Sequence, residues 1–189
     1  LSTGNSVILS DNVTFNLISA IQTKAGCSIS GGKDDIAVAN FPSTWIVDAN
    51  TDGTGLLQQI EFPEKEIIIV LRDMRKGVVE IQSFENLSPR FEQIVLQLRN
   101  GSPINAFRMN GQAVAEALND QEALQFCEDI EILFDCPAAI SGSGPAIAIL
   151  CEPEQAELVK EHIKSKGLEF IHTRTHHGVE LHWERDEWE

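Results

Sequence analysis

Two short stretches hold residue types that can handle a phosphate group or an alcohol proton. The first is Gly31-Gly32-Lys33-Asp34-Asp35. Adjacent carboxylates beside flexible backbone can bind a magnesium ion or take the proton of a hydroxyl. Successive side chains point in different directions, so Asp34 and Asp35 are not expected to share one role. A solvated turn or a helix cap uses the same residues. The second stretch is Ser141-Gly142-Ser143-Gly144-Pro145, directly ahead of an apolar run. Two glycines between small hydroxyl residues let the backbone turn sharply and aim its N–H groups into a concavity that suits phosphate oxygens. Glycine–serine runs ahead of strands also form simple turns. No Gly-Lys-Ser or Gly-Lys-Thr follows, so this is not a Walker loop.

Other candidate groups carry weaker signals. His172, His176, His177 and His182 cluster near the C-terminus, but their spacing fits no zinc signature, and strand and turn positions account for them better. Ser141 has no recognisable base partner. The four cysteines, Cys27, Cys127, Cys136 and Cys151, form no C-x-x-C pair and sit among apolar or small neighbours, which suits buried, reduced thiols of a cytosolic protein. Arg72, Arg75 and Lys76 follow an apolar run and either meet an anionic substrate or form a basic turn.

The balance of charge bounds the partners. Formal net charge is -15 over 189 residues. Such a chain repels phosphate backbones, so nucleic acid and anionic membranes are not expected partners. With 42% hydrophobic and 23% charged residues it can bury a core and does not read as disordered. No apolar run approaches the roughly 20 residues of a membrane span, and no signal peptide opens the sequence.

The elements that must position these residues follow from periodicity. Residues 10–25 read as a helix, with Val13, Leu17, Ile18 and Ile21 at helical spacing and Gly26 at its end. Residues 36–41 fit a short helix or a strand. Thr44–Asp48 is a strand, followed by a turn at residues 50–53. Glu66–Leu71 is an unbroken β-branched run that suits a buried central strand. Three helices follow: one opened by Ser88-Pro89, one over 102–118 with Ile104, Phe107, Val114 and Leu118 as its stripe, and one over 120–133. Residues 146–151 form a strand. Residues 153–166 form a helix with Ala156, Val159 and Ile163 inward, and 168–173 and 179–183 are strands. This order predicts an α+β chain with helices packed on one face of an antiparallel sheet.

Both motifs, in this order, resemble those of the archaeal shikimate kinases of the GHMP small-molecule kinase superfamily. Ala139-Ile140-Ser141-Gly142-Ser143-Gly144-Pro145-Ala146 is similar to the superfamily's Ser-Gly-Ser/Thr-Gly-Pro-Ala motif. Residues 30–35 and Ile46-Val47-Asp48-Ala49-Asn50 resemble Thr-Gly-Ala-aromatic-Asp-Asp-Ala and the later Thr-Asp-Asn. Met109-Asn110-Gly111 with Ala115–Asn119, and Thr173–Gly178, resemble a helix and the closing turn of the same family. The resemblance covers residues 10–183 and implies a GHMP kinase-like fold with a ferredoxin-like C-terminal layer. It implies residues 1–50 as a remnant of the N-terminal domain and 51–189 as the C-terminal domain. The implied reaction is ATP- and Mg2+-dependent phosphorylation of the shikimate 3-hydroxyl in aromatic amino-acid biosynthesis, in the cytoplasm. Asp34 would orient or deprotonate the acceptor hydroxyl with Asp35 in support. Ser141, Gly142, Ser143 and Gly144 would line the phosphates, and Arg75 and Lys76 would meet the anionic substrate.

Some segments depart from the family pattern. Its ATP-holding motif, Pro-x-x-x-Gly-Leu-x-Ser-Ser-Ala, is absent, and Leu1 falls after the helix that motif opens. The sequence therefore reads as the C-terminal two-thirds of such a kinase, inactive by itself. Lys33 stands where the family has an aromatic, Phe41-Pro42-Ser43 replaces aromatic-Gly-Gly, and His176 and His177 replace two asparagines. Another GHMP kinase, such as homoserine kinase, is an alternative that the Asp34-Asp35 pair argues against. A non-catalytic binding module that kept the fold is another.

Overall fold

The computed structural model describes residues 10–26, 32–41, 43–48, 51–73 and 80–175. These fall into two compact units, one within Leu1–Glu61 and one within Phe62–His176.

The first unit holds two helices and a hairpin. Helix α1, Asp11–Lys24, and helix α2, Asp34–Asn40, precede antiparallel strands β1, Thr44–Val47, and β2, Leu56–Ile60, paired from Thr44↔Ile60. The undecided segment 36–41 is thus helical over most of its length, and the hairpin carries residues 51–60 into this unit. The small core is Phe15, Ile36 and Ala37, with Ile18, Phe41, Val47 and Leu56 against it. Phe15 stacks on Phe41 at 5.8 Å between ring centroids. The inward face of α1 differs from the one its aliphatic spacing predicts. Phe15 is buried, whereas Val13, Leu17 and Ile21 are about half exposed at 49%, 48% and 56%. Burying the large Phe15 ring against α2 turns the 13–17–21 row outward.

The second unit opens with strand β3, Glu66–Leu71. Four helices follow: α3 (Ile81–Glu85), α4 (Ser88–Arg99), α5 (Pro103–Ala117) and α6 (Gln121–Phe134). Then come β4 (Ala138–Ile140), β5 (Ile147–Cys151), α7 (Pro153–Ser165) and β6 (Glu169–Arg174). The sheet is antiparallel with order β4-β5-β3-β6. Helices between the first and second and between the third and fourth strands, with that order, make the ferredoxin-like layer. Ile68 and Val70 of β3 and Ile147, Ile149 and Cys151 of β5 form the core with Ile130 of α6 and Val159 and Ile163 of α7. The inward face of α7, Ala156, Val159 and Ile163, is the one its spacing predicts. Helix α5 instead buries small residues, Ala106, Gly111, Ala113, Ala115 and Ala117, together with Val114. Its larger Ile104, Phe107 and Leu118 are only half-buried. The expected strand at 179–183 lies outside the described residues. No helix among the described residues is long and apolar enough to cross a membrane.

Small residues let α5 approach β4 closely. A methyl group added at Gly111 would sit 2.4 Å from the Ala139 Cβ and 2.7 Å from its Cα. Gly→Ala inside a helix ordinarily stabilises by about 1 kcal/mol. Here the sign reverses: Gly111→Ala should destabilise the second unit by about 1–3 kcal/mol, because backbone must shift to make room. Urea unfolding of the variant checks this, and a midpoint at or above that of the parent would mean that the helix slides freely on the strand.

Candidate functional site

Asp34 and Asp35 are the first two residues of α2, and both are exposed. Their placement is set by the residue before them. Lys33 is 5% exposed, the only buried charged or polar residue among the described ones. Its Nζ donates to Asn16 Oδ1 at 3.1 Å, to the Thr51 carbonyl at 2.6 Å and to the Gly53 carbonyl at 2.8 Å. An ammonium has three donors, and this one uses all three. The turn that supplies the two carbonyls is held from α1 as well. Gly53 N–H donates to Asn16 Oδ1 at 3.1 Å, and Thr54 N–H to Asn12 Oδ1 at 3.3 Å. Gly53 has φ +82°, a conformation that favours glycine, and a Cβ there would displace the Asn12 side chain, whose Oδ1 would lie 2.6 Å away. Nothing in the sequence pattern announces this arrangement; a lysine where the resembled family has an aromatic is its one visible sign.

The glycine-rich stretch is the connection between β4 and β5 in the second unit. Ser141, Gly142 and Ser143 are exposed. Gly142 and Gly144 have positive φ, 55° and 72°, and the Gly144–Pro145 peptide is cis. Ser141 N–H donates to the Ala146 carbonyl at 2.9 Å and Gly144 N–H to the Ser141 carbonyl at 2.9 Å. Those two amides are committed to closing the turn. A Cβ at Gly142 would meet nothing within 4 Å, so the backbone at the tip is open to an approaching group.

Arg72, at the end of β3, braces this turn. Its guanidinium forks onto Asp120, Nη1 to Oδ2 at 2.8 Å and Nη2 to Oδ1 at 2.9 Å, and Nη1 also donates to the Pro145 carbonyl at 3.3 Å. The hydrogen bond with Asp120 is the main cause that raises the already high pKa of Arg72. Asp120 in turn caps α6 by accepting from Ala123 N–H at 3.0 Å. Arg72 is therefore engaged with Asp120 and the turn, while Arg75 and Lys76 lie outside the described residues.

The remaining candidates separate cleanly. His172 Nε2 pairs with Glu66 Oε2 at 2.6 Å across adjacent strands. His176, His177 and His182 lie outside the described residues. Cys127, Cys136 and Cys151 are buried free thiols, and burial pushes Cys127 up to about 12, so it stays protonated at neutral pH; Cys27 lies outside the described residues. Asp34 and Asp35 share the start of one helix in the first unit, and Ser141–Gly144 share one turn in the second.

Comparison with known proteins bears on the fold. No family model and no curated protein sequence matches the chain. Among solved structures, a phosphotransferase related to the CoA biosynthesis pathway matches with a TM-score of 0.58 at 15% identity, over 75% of this chain and 48% of that one. A mevalonate pyrophosphate decarboxylase from Streptococcus pyogenes matches with a TM-score of 0.46 at 15% identity, over 68% of this chain and 50% of that one. The chain spans about half the length of these structures. The fold is α+β, with antiparallel strands and helices, and is similar to that of the solved phosphotransferase.

Proposed function

We propose that the chain belongs to a small-molecule kinase that moves the γ-phosphoryl group of ATP to an alcohol, with shikimate as the acceptor. The observation that supports this reading is the exposed Asp34-Asp35 pair and the Ser-Gly-Ser-Gly-Pro turn, in that order, on a fold similar to that of a solved phosphotransferase. In the proposed step the acceptor oxygen attacks the γ-phosphorus, the bond to the β-phosphate oxygen breaks, and ADP leaves with that electron pair. The hydroxyl proton passes to the Asp34 carboxylate. Phosphoryl transfer asks little covalent work of a protein and much alignment and charge compensation. The open backbone at Gly142, with Ser141, Ser143 and Gly144 around it, suits the wall beside the phosphates. Arg75 and Lys76 are the proposed partners of the substrate carboxylate. Asp35, the exposed carboxylate that the proton transfer leaves unused, would be available to Mg2+, which takes one or two carboxylates and completes its shell with water and phosphate. Bound there, the ion would neutralise charge on the transferring group. On this reading residues 1–50 derive from the N-terminal domain and 51–189 from the C-terminal one, with the β1–β2 hairpin crossing that boundary.

The phosphotransferase likeness favours a second acceptor, an alcohol belonging to CoA biosynthesis, with the same chemistry and the same residues. The discriminating test supplies the complete protein with Mg-ATP and shikimate, homoserine or hydroxylated CoA precursors, and follows ADP release. ADP release with shikimate alone is the expected result. Release with another alcohol keeps the kinase and replaces the substrate. No release with any of them, and no nucleotide binding, would leave only the fold.

A further inference from the structure

A lysine ammonium buried without a carboxylate is costly unless all of its donors are satisfied. Lys33 meets that condition with neutral acceptors only: one amide oxygen of α1 and two carbonyls of the 51–53 turn. Its backbone carbonyl also accepts the first intrahelical bond of α2, from Ala37 N–H at 2.8 Å. One residue therefore joins three pieces of chain that are far apart in sequence: α1, the hairpin turn and the start of α2. The next residue is Asp34.

We infer that Lys33 is a positioning residue, a cation spent inside the protein so that the Asp34 carboxylate is held where a phosphoryl acceptor needs it. The inference rests on the kinase reading proposed above. Lys33 does not touch the substrate, since its three donors are occupied. Asn16 is the second half of the device. Its Oδ1 accepts from both Lys33 Nζ and Gly53 N–H, so it locks the turn to the ammonium from the opposite side. The geometry also accounts for a polar residue where the resembled family carries an aromatic.

The test is made on the complete protein with Lys33→Met, which keeps most of the side-chain length and removes the donors. Amide hydrogen exchange at Ala37, Gly53 and Thr54, whose N–H groups are hydrogen-bonded, should speed up by about tenfold or more, because these segments lose a shared anchor. The kcat for phosphoryl transfer should fall by about 10–100-fold, with the KM for ATP within about twofold of the parent, as expected for a misplaced reacting group. Asn16 is exposed on α1, so Asn16→Ala keeps the fold even if Lys33→Met does not; it should lower kcat by about threefold to tenfold. Asn16→Asp retains an Oδ1 acceptor for both donors and should restore it. An active parent whose Lys33→Met and Asn16→Ala variants keep full kcat would overturn the positioning role alone, whatever the exchange rates. Unchanged exchange at Gly53 and Thr54 in Lys33→Met would overturn the brace itself. A parent that transfers no phosphoryl group to any alcohol removes the kinase reading, and the positioning role with it.

Discussion

Replacing Asp34 with Asn is expected to lower kcat for phosphoryl transfer by about 10²–10⁴-fold, the range for loss of a positioned general base. Asparagine keeps the shape of the side chain and sits as well in the first turn of a helix, so α2 and its Lys33 anchor stay in place. On the proposed kinase reading, what is lost is the charge that takes the hydroxyl proton or orients the attacking oxygen. Asp35→Asn should cost far less, because the neighbouring side chain leaves the helix in a different direction. The partition of kinetic parameters separates two roles. A fall in kcat with the KM for ATP unmoved assigns Asp34 to the acceptor hydroxyl. A rise in the KM for Mg-ATP that excess Mg2+ reverses would make it a metal ligand instead. An active protein in which Asp34→Asn turns over at the parent rate would remove Asp34 from the chemistry.

Much of the architecture is legible in the sequence because single elements carry strong local signals. The β-branched run of β3 marks a central strand, and the Ser-Pro openings of α4 and α5 and the regular spacing of α7 mark helices. Elements with weak local signals escape. β2 reads Leu-Leu-Gln-Gln-Ile, with no alternation, and exists because β1 pairs with it. β4 is three residues between Pro137 and the glycine turn, too short for a period to show, and is fixed by β5. The short helix α3 has no buried residue and no side-chain cap bond to announce it. The face of α1 is misread for a related reason: periodicity counts aliphatic residues, while the fold selects the one ring that can stack on Phe41. The same division runs through the candidate site. Asp34-Asp35 and Ser141–Gly144 are contiguous and visible as motifs. The bonds that hold them in place connect Lys33 to Asn16, Thr51 and Gly53, and Arg72 to Asp120 and Pro145. Partners so distant in sequence leave no local pattern.

The Arg72–Asp120 pair should dominate the stability of the second unit's glycine turn. Each side chain is 15% exposed, so the pair is largely but not fully dry. Removing one partner of a fully buried pair costs about 3–5 kcal/mol, since the other charge is left desolvated. Residual water at 15% exposure reduces that, and Arg72→Met should destabilise by about 2–4 kcal/mol, a fall of about 4–16 °C in melting temperature for a chain of this size. Asp120→Asn keeps the α6 cap, since asparagine accepts from Ala123 N–H as aspartate does, and retains one acceptor for the guanidinium. It should therefore cost less than Arg72→Met. The double variant should recover part of the loss, because no unpaired charge remains at the site. Strict additivity of the two single effects would show that the charges do not interact. The functional consequence is separable from the thermodynamic one. Arg72 also donates to the Pro145 carbonyl, so on the proposed kinase reading Arg72→Met, well below the melting point, should weaken ATP binding, while a core variant of comparable cost on α7, Ile163→Ala, should not. Equal loss of ATP affinity in both variants would mean that global loosening, rather than the brace on the turn, governs nucleotide binding.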